Sequence, residues 1–173
     1  MTNLDRPAEP PAGPDVWLRP MPLETAAALL RGERVGAAAP PWHPDYPLPD
    51  TVVGVRLLTE AHRLSGWSGS SIPRWWIHQI VADGTVVGDI GFHGPPAPDA
   101  PAAAVVEIGY ALVDEVHGRG IATAALCRLL ALARRDGAAA VVAEADPDNV
   151  ASRRVLAKAG FRPRADGVFE VRP

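Results

Sequence analysis

Val106-Glu107-Ile108-Gly109-Tyr110-Ala111-Leu112, then His117-Gly118-Arg119-Gly120-Ile121-Ala122, then the run Asn149-Val150-Ala151-Ser152-Arg153-Arg154-Val155-Leu156-Ala157-Lys158-Ala159-Gly160-Phe161 follow one another within residues 105–161, and this stretch decides the fold. The first run is β-rich and belongs to a strand over Val105 to Val113. In the second, two glycines bracket Arg119 directly before a helical period from Ile121 to Arg135, with Leu126, Leu129, Leu130 and Ala133 on its apolar stripe and Gly137 as its stop. Glycines at such a turn let the backbone approach a ligand, and the first turn of the helix leaves N–H groups free for an anion. A Gly-rich turn before a helix also occurs as nothing more than a turn, and that reading stays open at this level. The Lys-Ser/Thr ending of a Walker A loop and the G-x-G-x-x-G of a dinucleotide fold are both missing. Gly88, Gly91 and Gly94 recur every three residues in or beside a strand, which is a structural spacing.

Outward from this stretch, Val141-Val142-Ala143 is a strand and Asn149 to Ala159 a short helix closed by Gly160. Phe161 to Val171 holds Asp166-Gly167 and reads as a last hairpin. Upstream, Trp75–Ala82 and Thr85–Phe92 are β runs joined by Asp83-Gly84, a hairpin signal. Helices are expected at Leu23–Arg31 and Thr51–Leu64, after a short strand at Val16-Trp17-Leu18. The order β-α-α-β-β-β-α-β-α-β-β predicts a mixed sheet with helices on its faces, an α+β fold. Residues 1–14, with four prolines and few apolar anchors, read as a flexible tail, and residues 15–173 as a single domain.

The chain of 173 residues can bury a real core, and its 47% hydrophobic and 21% charged content is that of a soluble globular protein. With 17 basic and 20 acidic residues the net charge is −3, the opposite of what a nucleic-acid-binding surface requires. One cysteine, Cys127, excludes an intrachain disulfide framework and suits a reducing compartment; among Leu126, Leu129 and Leu130 it reads as a core thiol. The histidines at 43, 62, 78, 93 and 117 lack ligand spacing, so no metal is expected. No apolar leader or run of membrane-spanning length is present, so the expected location is the cytoplasm, away from membranes. Only Lys158 is a lysine, and the wealth of Arg, Ala and Pro suggests GC-rich coding, so an isolated arginine carries little weight.

The three quoted runs resemble the GNAT superfamily of acyl-CoA-dependent N-acyltransferases, most nearly the branch containing the ribosomal-protein N-terminal acetyltransferases. The first run is similar to its fourth strand, the second to its acyl-CoA loop Q/R-x-x-G-x-G/A with His117 in place of Gln or Arg, and the third to N-x-x-S-x-x-V-L-x-K-x-G-F. The stretch that holds them, residues 105–161, covers about a third of the chain. The resemblance implies a central, mostly antiparallel twisted sheet of about six to seven strands, splayed in the middle, with about four helices. It implies acetyl-CoA as cosubstrate. The backbone of Leu112 and Val113 would pair with the pantetheine arm, and the loop from His117 through Gly118, Arg119, Gly120, Ile121 and Ala122 to Thr123 would hold the pyrophosphate. Asn149 and Ser152 would reach the pantetheine and thioester, and Arg153 or Arg154 the 3′-phosphate.

Acetyl transfer needs a neutral amine, and free amines have pKa values of roughly 8 to 10, so a base must take a proton. Glu107 is the candidate, placed among Val105, Val106 and Ile108, where partial burial would raise its pKa; exposure to solvent on a strand is the competing reading. Residues 149–173 contain no tyrosine, which leaves Ser152 as the candidate acid for the departing thiolate, against a binding or capping role. Tyr110 reads as sheet packing. Acceptor specificity is expected in the loop Gly36 to Asp50, where Asp45 or Asp50 would attract a cationic amine, and in the break Ser65 to Arg74, while Gly94 to Ala103 borders the site or a homodimer contact. The expected acceptor is a small-molecule amine or a peptide N-terminus, used by direct attack in a ternary complex. A non-catalytic acyl-CoA-binding regulatory module and an acyltransferase for longer acyl-CoA are the alternatives.

Overall fold

The structure is a computed structural model that describes residues 14–33, 40–96 and 104–173. The tail expected at residues 1–14 lies outside the described residues except for Pro14, as do residues 36–39 of a loop expected to set specificity and residues 97–103 of the loop expected to border the site or a homodimer contact.

Strand β1 (Val16–Pro20) is followed by helices α1 (Leu23–Leu30) and α2 (Pro49–Leu64). Strands β2 (Ile77–Ala82) and β3 (Thr85–Phe92) form the hairpin signalled by Asp83-Gly84, both of which take positive φ, the backbone that a two-residue turn requires. Strand β4 (Val105–Leu112), helix α3 (Ile121–Arg135), strand β5 (Ala140–Ala143) and helix α4 (Val150–Lys158) come next, before strands β6 (Arg162–Pro163) and β7 (Phe169–Val171). The seven strands form one sheet in the order β1-β2-β3-β4-β5-β7-β6, antiparallel except for the β4–β5 pair. Seven strands and four α-helices match the mixed, mostly antiparallel architecture expected from the sequence.

Burial explains the layering. β2 and β3 are covered on both faces, so every residue of β2 is buried and only Thr85 of β3 is partly open. On one face, α3 presents Leu126, Leu129 and Ala133, and α4 presents Leu156, to Ile80, Ile90, Val106 and Val141. On the other, α1 and α2 enclose a smaller cluster in which Leu29, Val55 and Leu58 meet Met21, Trp76 and Ile77. Cys127 is exposed on α3, contrary to the core position expected for it; the helical period turns residue 127 away from the stripe that carries Leu126 and Leu130.

The feature that positions the site is a mismatch of strand lengths in the sheet. β3 pairs with β4 from Ile108 to Leu112, whereas β5 pairs only with Val105, Val106 and Glu107. From Ile108 onward the β5-facing edge of β4 therefore has no strand partner. Backbone polar groups along such an edge are free for a ligand.

Candidate active site

A cleft of about 580 Å³ opens at this unpaired edge. Its floor is Tyr110, Ala111 and Leu112, one end is the start of α3, one wall is α4, and the remaining wall is Leu48, Pro49 and Asp50 at the start of α2. Each part has a local reason. Gly118 and Gly120 adopt φ of +76° and +81°, which swings the chain round into α3 without a side chain in the way. The first helical bond runs from Ala124 N to Gly120 O at 3.0 Å, so the N–H groups of Ile121, Ala122 and Thr123, all lining the cleft, have no helical acceptor and give that end partial positive charge.

The residues of the loop face different ways. Gly118, Gly120, Ile121, Ala122 and Thr123 line the cleft, and so does His117, whose Nε2 donates to Leu112 O at 3.1 Å. Arg119 does not: its guanidinium donates to Asp83 at 2.6 Å, tying the loop to the β2–β3 turn. Leu112 lines the cleft, but Val113 is buried, with its N–H donating to Val87 O at 2.9 Å and its carbonyl accepting from Val116 N at 3.2 Å. Val113 therefore has its backbone turned to β3 and to the short 3-10 turn at Asp114–Val116, away from the open edge.

On α4, Asn149 is the N-cap, its Oδ1 accepting from Ser152 N at 2.9 Å. Capping thus belongs to Asn149, which frees the Ser152 hydroxyl to face β4, where it shares a hydrogen bond of 2.8 Å with the Tyr110 hydroxyl. Both hydroxyls line the cleft, so Tyr110 is more than sheet packing; burial raises its pKa above that of a free phenol, against the Ser152 hydrogen bond. Arg154 and Lys158 line the same wall, whereas the Arg153 guanidinium sits 5.5 Å from the centre of the Phe169 ring. Of the two arginines open for a phosphate role, only Arg154 points into the cleft.

Glu107 is not enclosed by its apolar neighbours. Its side chain is 41% exposed, on the sheet face opposite Tyr110, and is paired with His93 Nδ1 at 3.0 Å. It is not among the residues lining the cleft. The same sheet face, covered by α2, holds Asp89, which is buried and accepts a hydrogen bond from Thr51. Of the two regions expected to meet the acceptor, one arrives: backbone bonds from His43 N to Val86 O (2.9 Å) and Val86 N to Pro41 O (2.8 Å), with His43 Nε2 3.0 Å from Glu115, bring the loop to the cleft at Leu48–Asp50. The other does not, because Trp67 packs on His62 and Trp76. Asp50 is the sole acidic residue lining the cleft among the described residues.

Tyr110 and the Leu48–Asp50 wall were the parts that sequence reasoning missed or left undivided. Period-two alternation places Tyr110 on the face of Val106 and Ile108, but only the packing of α4 shows which side chain it meets. Among the described residues no helix is long and apolar enough to cross a membrane, and no group of three metal-ligating side chains occurs.

Comparison with known proteins agrees with this geometry. No curated protein matches the sequence at a significant level. The ribosomal alpha-N-protein acetyltransferase RimL, solved with coenzyme A, aligns with a TM-score of 0.59 over 91% of this chain and 93% of its own, at 18% identity. Mycobacterium smegmatis RimJ, solved with CoA-disulfide, aligns at 0.58 over 91% of this chain and 81% of its own, at 26% identity. A putative acetyltransferase from Salmonella typhimurium, with acetyl-CoA as its cofactor, aligns at 0.58 over 91% and 93%, at 21% identity. The family described as the acetyltransferase (GNAT) domain matches residues 15–162, which include the open strand edge, the glycine turn and the capped helix of the cleft, and the chain belongs to that family.

Proposed function

We propose that this protein transfers an acetyl group from acetyl-CoA to a primary amine by direct attack in a ternary complex. The observation that carries the reading is the continuity of the cleft: free helix N–H groups, the unpaired edge of β4 and an acid-bearing wall lie along one groove. In this reading the amides of Gly118 to Thr123 and the Thr123 hydroxyl hold the pyrophosphate, with Arg154 and Lys158 neutralising further phosphate charge. Leu112 and the strand edge before it pair with the pantetheine arm, and Asn149 and Ser152 approach it from α4. RimJ, the relative at 26% identity, is solved with CoA-disulfide, which supports the same occupant here.

The acceptor enters past Leu48, Pro49 and Asp50, where Asp50 attracts its positive charge. Base function rests on the α2 face of β4, where Glu107 and the side chain paired with it stand. The amine nitrogen forms a bond to the thioester carbonyl carbon, the C–S bond breaks, and the thiolate takes a proton from the Ser152 hydroxyl, which the Tyr110 hydroxyl can resupply. The acceptor is a small-molecule amine or a peptide N-terminus; relatives named for ribosomal proteins and for an aminoglycoside span both. Residues 15–173 act as one catalytic unit, which does not draw on nucleic acid or membrane.

Free-thiol release with acetyl-CoA and a panel of alanyl peptides, polyamines and aminoglycosides, run beside Glu107→Gln, tests this. Amine-dependent release that falls in the variant is expected. Release only with succinyl- or propionyl-CoA would change the donor, and tight acetyl-CoA binding without release from any amine would overturn catalysis in favour of a binding module.

A further inference from the structure

Glu107 does not stand alone on its sheet face. Its carboxylate lies 3.0 Å from Nδ1 of His93, and the backbone repeats the link, His93 N donating to Glu107 O at 2.9 Å. The far nitrogen of the ring, Nε2, lies over Gly109: a Cβ placed there would be 2.7 Å from it, with the ring carbons Cε1 and Cδ2 at 3.6 and 3.7 Å. Glycine at 109 is what lets the imidazole occupy the surface of β4 at this level. The negative charge of the carboxylate beside Nδ1 favours the proton on that nitrogen, which leaves the lone pair on Nε2. Among the described residues Nε2 meets no hydrogen-bonding partner.

The ring is also placed along the strand where chemistry would occur. Gly109 directly precedes Tyr110 and Ala111 of the cleft floor, within the part of β4 whose β5-facing edge is unpaired. From Leu112, beside the partly positive end, to Ile108 is four strand steps, about 13 Å of edge. A pantetheine arm laid along it brings its reacting end toward Gly109, with α4 on one side of the sheet and His93 on the other.

We infer that His93 Nε2 is the base that takes the proton from the acceptor amine, and that Glu107 is a positioning residue that holds the imidazole. This rests on the acetyltransferase reading above. As the nitrogen lone pair forms its bond to the carbonyl carbon and the C–S bond breaks, the amine proton passes to Nε2, and the imidazolium is stabilised by the carboxylate at Nδ1. The His93 side chain is 56% exposed, so that proton then leaves to solvent. The Glu107 carboxylate is already engaged and stands two strand residues before Gly109.

Two measurements on the intact protein test the inference. In nitrogen-15 imidazole spectra, neutral His93 is expected in the Nδ1–H form, with that preference lost in Glu107→Ala; an Nε2–H ring in the wild type would overturn it whether or not any acceptor is known. In thiol-release assays with acetyl-CoA and the peptide, polyamine and aminoglycoside panel, His93→Gln is expected to lower kcat about 10²–10⁴-fold with unchanged acetyl-CoA Kd. His93→Gly is expected to regain activity with added imidazole, while Glu107→Ala is not. His93→Gln with near wild-type kcat would overturn the role of the ring, leaving Glu107 as the base. Wild-type protein that turns over no amine would overturn the parent reading, and the base role with it, while the tautomer measurement still reports on the dyad.

Discussion

Asp89 and His78 face each other's consequences in the pH dependence of stability. Burial pushes the Asp89 carboxyl up from 3.8 to about 6, with the facing hydroxyls of Thr51 and Tyr46 holding it back and Asp50 adding to the rise. Burial also pushes His78 down from 6.5 to about 4, with its hydrogen bond to Trp76 O in opposition. The folded protein thus prefers Asp89 protonated, so stability from this group is lost as pH rises through about 4 to 6. It prefers His78 neutral, so stability from that group is lost as pH falls from 6.5 to about 4. At about 1.36 kcal/mol per pH unit, each contributes a change of about 3 kcal/mol, with opposite sign over nearly the same interval. In the wild type the two slopes offset each other.

Removing one exposes the other. Asp89→Asn keeps an acceptor for Thr51 and should gain about 3 kcal/mol relative to wild type between pH 4 and 7. His78→Asn keeps a donor for Trp76 O and should lose about as much over the same span. Urea unfolding at half-unit pH steps measures this, and taking variant minus wild type removes the contribution of the other carboxylates. A difference that stays flat with pH in both variants would refute the assignment of these two groups.

Other substitutions probe the cleft itself. Gly88→Ala places a Cβ 2.2 Å from Ala111 O and 2.8 Å from Leu112 Cδ2, so β3 and β4 must part; a loss of about 3 kcal/mol or more in urea unfolding is expected, with weaker acetyl-CoA binding. Asn149→Ala removes the α4 cap and should cost about 1 kcal/mol of stability, read as a lowered Tm. Arg119→Ala should change the acetyl-CoA Kd by less than about threefold by calorimetry, since that side chain is committed to Asp83 in an exposed pair of small energetic value, whereas Arg154→Ala should weaken it about tenfold. A stability double-mutant cycle of Tyr110→Phe and Ser152→Ala should give a coupling of about 1 kcal/mol; additivity would dissolve the bond between them.

Much of this molecule was legible in the chain because the deciding signals are local. Asp83-Gly84 fixes a hairpin by the positive φ both positions accept, Gly118 and Gly120 mark a helix entry, and Gly160 marks a helix end. These need only neighbours in sequence, and the resemblance of three short runs then set the family. The order of elements and the glycine turn before α3 were within reach of such signals, and the mostly antiparallel sheet followed from the resemblance.

What tertiary structure alone decided involves pairs far apart in the chain. The bond between Tyr110 and Ser152, residues 42 apart in the chain, depends on where α4 docks against β4. Arg119 lies in the glycine loop and Val113 directly follows the first run, yet they turn to Asp83 and Val87, because a motif gives residue types and not the direction in which each group finds its partner. The unpaired edge of β4 arises from β5 being only four residues long, and the seat of His93 on Gly109 arises from the antiparallel register of β3 and β4. Periodicity assigns a side chain to a face; only packing of that face against another element says which atoms meet.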